Sequence, residues 1–482
     1  MKKLNDILIG IKTIKIIGNT SIYISNIQFD SRKVVGDSVF VAIPGTQIDG
    51  HVYIQKSIEA GAKAIICEVL PQNSDPDICW VIVADSAEAL GIVASNYYDC
   101  PSQKLKLVGV TGTNGKTTVA TLLFRLFRAL GFKCGLISTV TYSIEDKTYE
   151  STHTTPDQLV LNNLMNEMIQ NGCEYCFMEV SSHSLSQKRT AGLKFTGTVF
   201  TNITHDHLDY HLTFENYIKA KKSFFDKLQP GAFALINSDD KNGTVMVQNT
   251  NAKIKTYAMR RVADFKVKVI ESHFDGMQLL LNGKEFWTPL IGEFNAYNLL
   301  AVYGASIILD QDNNEVLRLL STLREVRGRF ETIRSKTGII AIIDYAHTPD
   351  ALINVLKTIQ QIRKGGEQLI TVVGAGGNRD KKKRPIMALV CAENSDKVIF
   401  TSDNPRFEEP EIIIQDMVEG LNERLKTKML RITDRREAIK TAFLMAKPGD
   451  ILLIAGKGHE TYQEIKGIKH HFDDKEEVLK LM

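Results

Sequence analysis

Long apolar runs are missing from this 482-residue chain, and none approaches the roughly 18 residues a membrane-spanning helix needs. The opening stretch MKKLNDILIGIKTIKIIG is basic and then apolar, but Asn5, Asp6, Lys12 and Lys15 interrupt the continuous core of a secretory signal. Neither export nor membrane anchoring is expected. Cysteine is scarce as well. The seven thiols are an odd number without framework spacing, which excludes a disulfide scaffold and favours reduced thiols in a cytoplasmic setting. The pair CEYC, Cys173 to Cys176, lacks the second pair of a zinc site and reads as small residues entering a buried strand. Charge of one sign is lacking too: 59 basic residues face 56 acidic ones, a net +3, which excludes a broad nucleic-acid-binding face. Low-complexity segments and fixed-period repeats are absent.

What is present is a long chain of mixed α/β character. Domains of roughly 100 to 200 residues suggest about three of them. Residues 1–101 hold short β-rich runs, SVFVAIPG and AKAIICEV, then the helical SAEALGIVASNYY, and read as a small α/β N-terminal domain. Residues 102–327 alternate apolar strands with amphipathic helices, the pattern of a mainly parallel sheet covered on both faces, here with a phosphate-loop-like turn after its first strand. Past VRGRFE, a hinge candidate, the alternation restarts over 328–482 with IIAIIDY, LITVVGAGG, KVIFTSD and DILLIAG, a Rossmann-like α/β domain.

The turn is VGVTGTNGKTTVATLL, Val108 to Leu123. The usual G-x-x-x-x-G-K-[ST] spacing would place glycine at 110, where Val110 stands, and Gly109 is one residue too far away. Strand, glycine turn and helix nevertheless follow in the required order. Gly112 and Gly115 free backbone N–H groups for phosphate oxygens, Lys116 supplies a point charge, and Thr117 offers a hydroxyl to a magnesium ion. A carboxylate is needed near such a metal, and YCFMEVSSHSL supplies Glu179 at a strand end. TNITHDHLDYH gathers three His and two Asp within seven residues and reads as a metal or substrate rim. YIKAKKSFFDKL is ambiguous: a solvated basic face, or a lysine converted by carbon dioxide to an anionic, magnesium-ligating carbamate.

TGTNGKTT, MEVSSH, TNITHDHLDYH, GEFNAYNLLA, GRFE, DYAHTPDAL, GAGGNRDKKKRP, DNPR and GKGHE occur here in the order found in the Mur ligases. The chain resembles that family, whose members build the peptide stem of bacterial peptidoglycan, and within it the MurE type. The family's loop has the same T-G-T-N-G-K-T form, so Val110 is no defect. The resemblance implies ATP and Mg2+ as cofactors. It places Gly112, Thr113, Asn114, Gly115, Lys116, Thr117 and Thr118 around the nucleotide phosphates. It gives one magnesium to Thr117 and Glu179, and a second to His207 with carbamylated Lys221; Lys116, Glu179, His207 and Lys221 form the catalytic set. Asn295, Asn298, Arg329, Asp344 and His347 match further ATP contacts. A carboxylate is a poor acyl donor until ATP converts it to an acyl phosphate, and metals with Lys116 stabilise the charge that accumulates on the phosphoryl oxygens.

The resemblance implies as substrates UDP-MurNAc-L-Ala-D-Glu and meso-diaminopimelate, with no nucleic acid partner, for a monomer in the cytoplasm. FDSRKVVGDSVFVAIPGTQIDG resembles the uridine-nucleotide pocket and carries it to Phe29, Ser31, Thr46, Gln47 and Ile48. Thr154, Thr155, Ser181, Gln187 and Arg189 match positions that hold the muramoyl dipeptide, whereas His153 stands where the family often has Asn. Arg379, Asp403, Asn404, Pro405, Arg406, Gly456 and Glu460 match the amine site. A guanidinium suits the distal carboxylate of diaminopimelate, which lysine lacks; unpaired, it would cost of order 1 to 3 kcal/mol. Lysine-adding relatives lack this Arg. A folylpolyglutamate-type ligase would share the loop without the first domain or DNPR, and a regulatory P-loop ATPase would hydrolyse ATP without any amine. A dinucleotide oxidoreductase built on GAGGNR fails, because the third glycine of G-x-G-x-x-G would fall at Arg379.

Overall fold

The computed structural model describes residues 1–45 and 48–482. Three sheets of five, eleven and six strands carry the chain in that order. The first runs Thr13–Ile17, Cys79–Val83, Ala62–Cys67, Ser38–Val41, Asn26–Gln28, parallel except for its first, antiparallel strand. Its helix Ser86–Tyr97 begins at Asp85, whose carboxylate caps the Glu88 N–H. That helix lies so close to the next unit that a Cβ on Gly91 would sit 2.5 Å from the Ala191 carbonyl oxygen.

The eleven-stranded sheet has a parallel middle, in which Cys134–Ile137, Tyr175–Glu179, Lys106–Thr111, Gly197–Phe200, Phe233–Asn237 and Lys253–Ala258 lie side by side. Thr141–Ile144 and Lys147–Glu150 extend one edge antiparallel; at the other, Phe265–His273 pairs parallel with Lys253–Ala258 and then leads an antiparallel meander through Gly276–Leu281 and Lys284–Thr288. The middle strands read as continuous apolar runs because helices cover both faces. Helix Lys116–Ala129 is one such cover: Val119, Leu122, Leu123, Leu126 and Phe127 are all buried in the core it shares with helix Glu293–Ile308. Each fully buried side chain of this kind contributes about 1.5–3 kcal/mol.

Lys106–Thr111 lies between Tyr175–Glu179 and Gly197–Phe200, both later in the chain, so the strand order reverses beside it. Ligand crevices of open α/β sheets form at such reversals, outside the carboxyl ends of the strands. Gly109 sits within this strand for a packing reason: a Cβ there would meet the Phe224 ring at 2.5 Å and the Phe195 ring at 3.0 Å. Its absence of a side chain admits helix Phe214–Asp226 against the sheet.

The six-stranded sheet runs Glu331–Arg334, Ile340–Asp344, Ile451–Ala455, Leu369–Val373, Lys397–Phe400, Met429–Arg431, parallel except for the first strand. Its carboxyl ends face those of the central sheet. All seven cysteines are free thiols, and every one but Cys100 is buried. Among the described residues no helix is long and apolar enough to cross a membrane.

Candidate active site

A cleft of about 1290 Å³ separates the carboxyl ends of the second and third sheets. Its floor is the glycine turn. Gly112 and Gly115 have φ of +153° and +86°. A Cβ on Gly112 would lie 1.9 Å from Thr201 Oγ1, and one on Gly115 2.5 Å from Asn298 Oδ1. Side chains are excluded at both places by space as well as by torsion. Helix Lys116–Ala129 starts from Gly115 with no side-chain cap, leaving its first-turn N–H groups for an anion. Lys116 Nζ donates to the carbonyls of Gly112 (3.0 Å) and Thr113 (2.7 Å), which curls the amine over the turn. Burial lowers its pKa, and Glu179 and Asp206 oppose that fall.

Glu179 closes one side. It is fully buried, yet its carboxylate meets only neutral donors: Thr117 Oγ1 at 3.0 Å, Thr139 N at 2.6 Å and Thr139 Oγ1 at 3.2 Å. A buried anion held by neutral groups suits a cation beside it. Arg329 Nη2 donates to the same Thr117 hydroxyl (3.0 Å) from across the cleft.

The His-rich stretch divides by exposure. His205 and Asp209 face solvent, whereas Asp206 and His211 are buried and His207 adopts φ +55° above the loop. Burial disfavours the Asp206 charge, but His207 and Lys383 outweigh it and hold that carboxyl below the usual range. Lys383 Nζ reaches Asp206 Oδ1 at 2.8 Å from the third sheet's side. Burial lowers the pKa of His207, and the Asp206 charge resists that fall.

Lys221 is the odd member of the basic helix. Lys219 and Lys222 pair with Glu215 and Asp226, whereas Lys221 is 1% exposed and donates to the Gly112 carbonyl at 2.7 Å. Burial, then the Lys116 charge, pushes its pKa well below the ordinary lysine value. Among the described residues no three His, Cys, Asp or Glu side chains converge on one point. A magnesium ion here would therefore rely on hydroxyl, phosphate or carbamate oxygens to complete what the single Glu179 carboxylate or the single His207 imidazole offers, oxygens compatible with a hard cation.

The polar wall beside Glu179 holds Thr154, Thr155, Ser181, Gln187 and Arg189. Arg189 grips Gln187 Oε1 (2.6 Å) and the Thr155 carbonyl (2.6 Å), and Thr155 Oγ1 binds the Glu179 carbonyl (2.8 Å). His153 lines the same wall.

Asp403, Asn404, Arg406, Gly456, Glu460 and the exposed Arg379 line the opposite wall. Asn404 Nδ2 donates to Glu460 Oε2 (2.8 Å), and buried Lys457 reaches Asn404 Oδ1 and Glu460 Oε2, both at 3.2 Å. Asp403 Oδ2 is buried without a hydrogen-bond partner. Arg406 Nη1 donates to the Gly377 carbonyl at 2.7 Å. Pro405 lies behind this wall, its carbonyl pressed against Gly377.

Between the walls, Asp344 accepts from Phe330 N (2.6 Å) and Ala346 N (2.7 Å), so it braces the GRF turn as well as facing the cleft. His347 Nδ1 donates to the Tyr345 carbonyl at 2.7 Å, leaving Nε2 outward. Asn298 faces the loop, but Asn295 sits behind it, its amide donating to the Ile291 carbonyl while its oxygen accepts from Asn298.

Phe29, Ser31 and Ile48 belong to the loops of the first sheet and do not line this cleft; Phe29 and Ile48 are exposed and Ser31 is buried. Thr46 and Gln47 lie outside the described residues. Sequence reasoning missed Thr139, Asp206, Lys383 and Asp350. Asp206 and Lys383 both lay within motifs already singled out, TNITHDHLDYH and GAGGNRDKKKRP. Thr139 carries no local signal.

Family models match three stretches: "Mur ligase family, catalytic domain" over 23–98, "Mur ligase middle domain" over 110–306 and "Mur ligase, glutamate ligase domain" over 328–458. A UDP-N-acetylmuramoyl-L-alanyl-D-glutamate--2,6-diaminopimelate ligase of Parabacteroides distasonis is 57% identical, covering 99% of each chain. A solved structure of a ligase of the same name is 32% identical, with a TM-score of 0.70, covering 100% of this chain and 98% of that one. The MurF ligase of Thermotoga maritima, solved with ADP, is 20% identical with a TM-score of 0.63 over 95% of this chain and shares the fold.

Proposed function

The chain belongs to the Mur ligase family, and from that premise we propose that it adds meso-diaminopimelate to the D-glutamate of UDP-MurNAc-L-Ala-D-Glu, using ATP, as a cytoplasmic monomer. One observation carries the reading: the phosphate loop with buried Glu179 and the arginine-bearing DNPR turn form two walls of a single cleft. Acyl activation and amine delivery can then share one reaction centre.

The chain's own groups divide the work. First-turn N–H groups and Lys116 hold the nucleotide phosphates and stabilise charge as the γ-phosphoryl passes to the glutamate carboxylate. Thr154, Thr155, Ser181 and Arg189 orient the dipeptide whose carboxylate is activated. Magnesium, held by Thr117 and Glu179 and by His207 with carbamylated Lys221, would supply charge neutralisation at the transferring phosphoryl group. The depressed pKa of Lys221 supports this, since the neutral amine is the form that captures carbon dioxide. Asp403 and Glu460 attract the ammonium groups of the incoming amino acid, and Arg406 faces its distal carboxylate. Phe29, Ser31, Thr46, Gln47 and Ile48 are assigned to the uridine nucleotide on the family resemblance.

The test is phosphate release from ATP with UDP-MurNAc-L-Ala-D-Glu present, comparing meso-diaminopimelate, L-lysine and no amine. Release that needs diaminopimelate is the expected result. Equal rates with lysine, or turnover without any amine, would reject the assignment.

A further inference from the structure

Arg406 does not wait unpartnered for its ligand. Its backbone is at φ +54° and is clamped by the hairpin Tyr462–Ile465/Ile468–His471: Arg406 N donates to the Glu464 carbonyl (3.0 Å) and Lys466 N to the Arg406 carbonyl (2.6 Å). The guanidinium then enters a socket. A Cβ on Gly376 would stand 3.0 Å from Arg406 Nη1, so glycine there admits the head group to the Gly377 carbonyl at 2.7 Å. On the opposite edge, Glu464 Oε2 lies 3.4 Å from Arg406 Nε, with both side chains about a quarter exposed, at 22% and 24%. Glu464 itself is tied in place, because its N–H donates to Asn404 Oδ1 at 2.9 Å. No role in the proposed reaction uses this carboxylate.

We propose that Glu464 is a positioning and specificity residue: a resident counter-ion that aims Arg406 and competes with the distal carboxylate of the incoming amino acid for its charge. This rests on the reading of the amine as diaminopimelate. The competition has a definite direction. With Glu464 present, an amino acid that lacks a distal carboxylate leaves Arg406 still paired, so the penalty for the wrong amine is smaller than an isolated guanidinium would impose. Without the Glu464 charge, Arg406 depends more on its ligand. A distal carboxylate is then held more tightly, and a distal ammonium is repelled more strongly.

The experiment is amine-dependent phosphate release by the full chain, wild type against Glu464→Gln, Arg406→Ala and the double variant, with meso-diaminopimelate and L-lysine. Partly exposed ion pairs of this kind set the scale, so Glu464→Gln should lower KM for diaminopimelate by about three- to fivefold and raise its selectivity over lysine by a similar factor. In the Arg406→Ala background the same substitution should change neither quantity, a dependence that a merely structural role would not produce. An unchanged or reduced selectivity in Glu464→Gln, or an equal effect without Arg406, overturns the inference while leaving the ligase assignment standing. If the wild type releases no phosphate with diaminopimelate, the assignment fails, and this inference falls with it.

Discussion

His459 shows what a single buried group does to the behaviour of the chain. Burial and then the nearby Arg329 charge push its pKa down to about 3, and its Nδ1 has no hydrogen-bond partner. The folded state thus binds this proton less readily than the unfolded chain, whose histidine sits near 6.5. Stability from this group is complete above 6.5 and declines as the pH falls from there toward about 3. The thermal midpoint should therefore drop between pH 7.5 and pH 5 (about 1.4 kcal/mol per pH unit at most for one such group), and His459→Gln should flatten the fall. Melts of the two proteins across that range check it; parallel curves would assign the acid sensitivity elsewhere. Single residues also mark the limit of reading from sequence. Lys116 and Glu179 announce themselves by setting, a glycine turn and a strand end. Thr139 holds Glu179 as firmly, but its place depends on the tertiary path of a loop that no local pattern records.

At the scale of elements, helix Pro349–Ile362 links the two walls. Proline opens it, Thr348 caps the Ala351 N–H, and the first-turn Asp350 extends over the cleft. There its Oδ2 accepts from Asn114 Nδ2 (2.9 Å) and Thr204 Oγ1 (3.1 Å), so a helix of the third sheet seats the phosphate loop of the second. Asp350→Ala should raise KM for ATP about tenfold, the scale of hydrogen bonds to a charged group. Steady-state kinetics decides it, and an unchanged KM would mean that the loop is seated without this helix. The parallel strands were legible because burial on both faces writes them as unbroken apolar runs such as IIAIIDY and DILLIAG. The meander from Phe265 to Thr288 was not, since KVKVIESH is half exposed and its pairing, parallel to one neighbour and antiparallel with a bulge to the other, is fixed only by those neighbours.

Across the whole molecule, Lys383–Asp206, Arg329–Thr117 and the Asp350 contacts join the second and third units directly. The basic run of GAGGNRDKKKRP divides its charges between the units: Lys383 bridges the cleft, while Lys381 and Arg384 pair with Glu408 within the third unit. Lys383→Glu would set two carboxylates against each other across the gap. Small-angle scattering should then show a larger radius of gyration than the wild type, partly restored at high ionic strength. Equal radii would place the cohesion of the two units in other contacts. The hidden thiols have a practical consequence for watching such opening. With burial raising the pKa of Cys67, Cys134, Cys173, Cys176 and Cys391, maleimide dyes meet an almost silent background. Two cysteines introduced on the rims could then report the gap by energy transfer, with only Cys100 to be removed first.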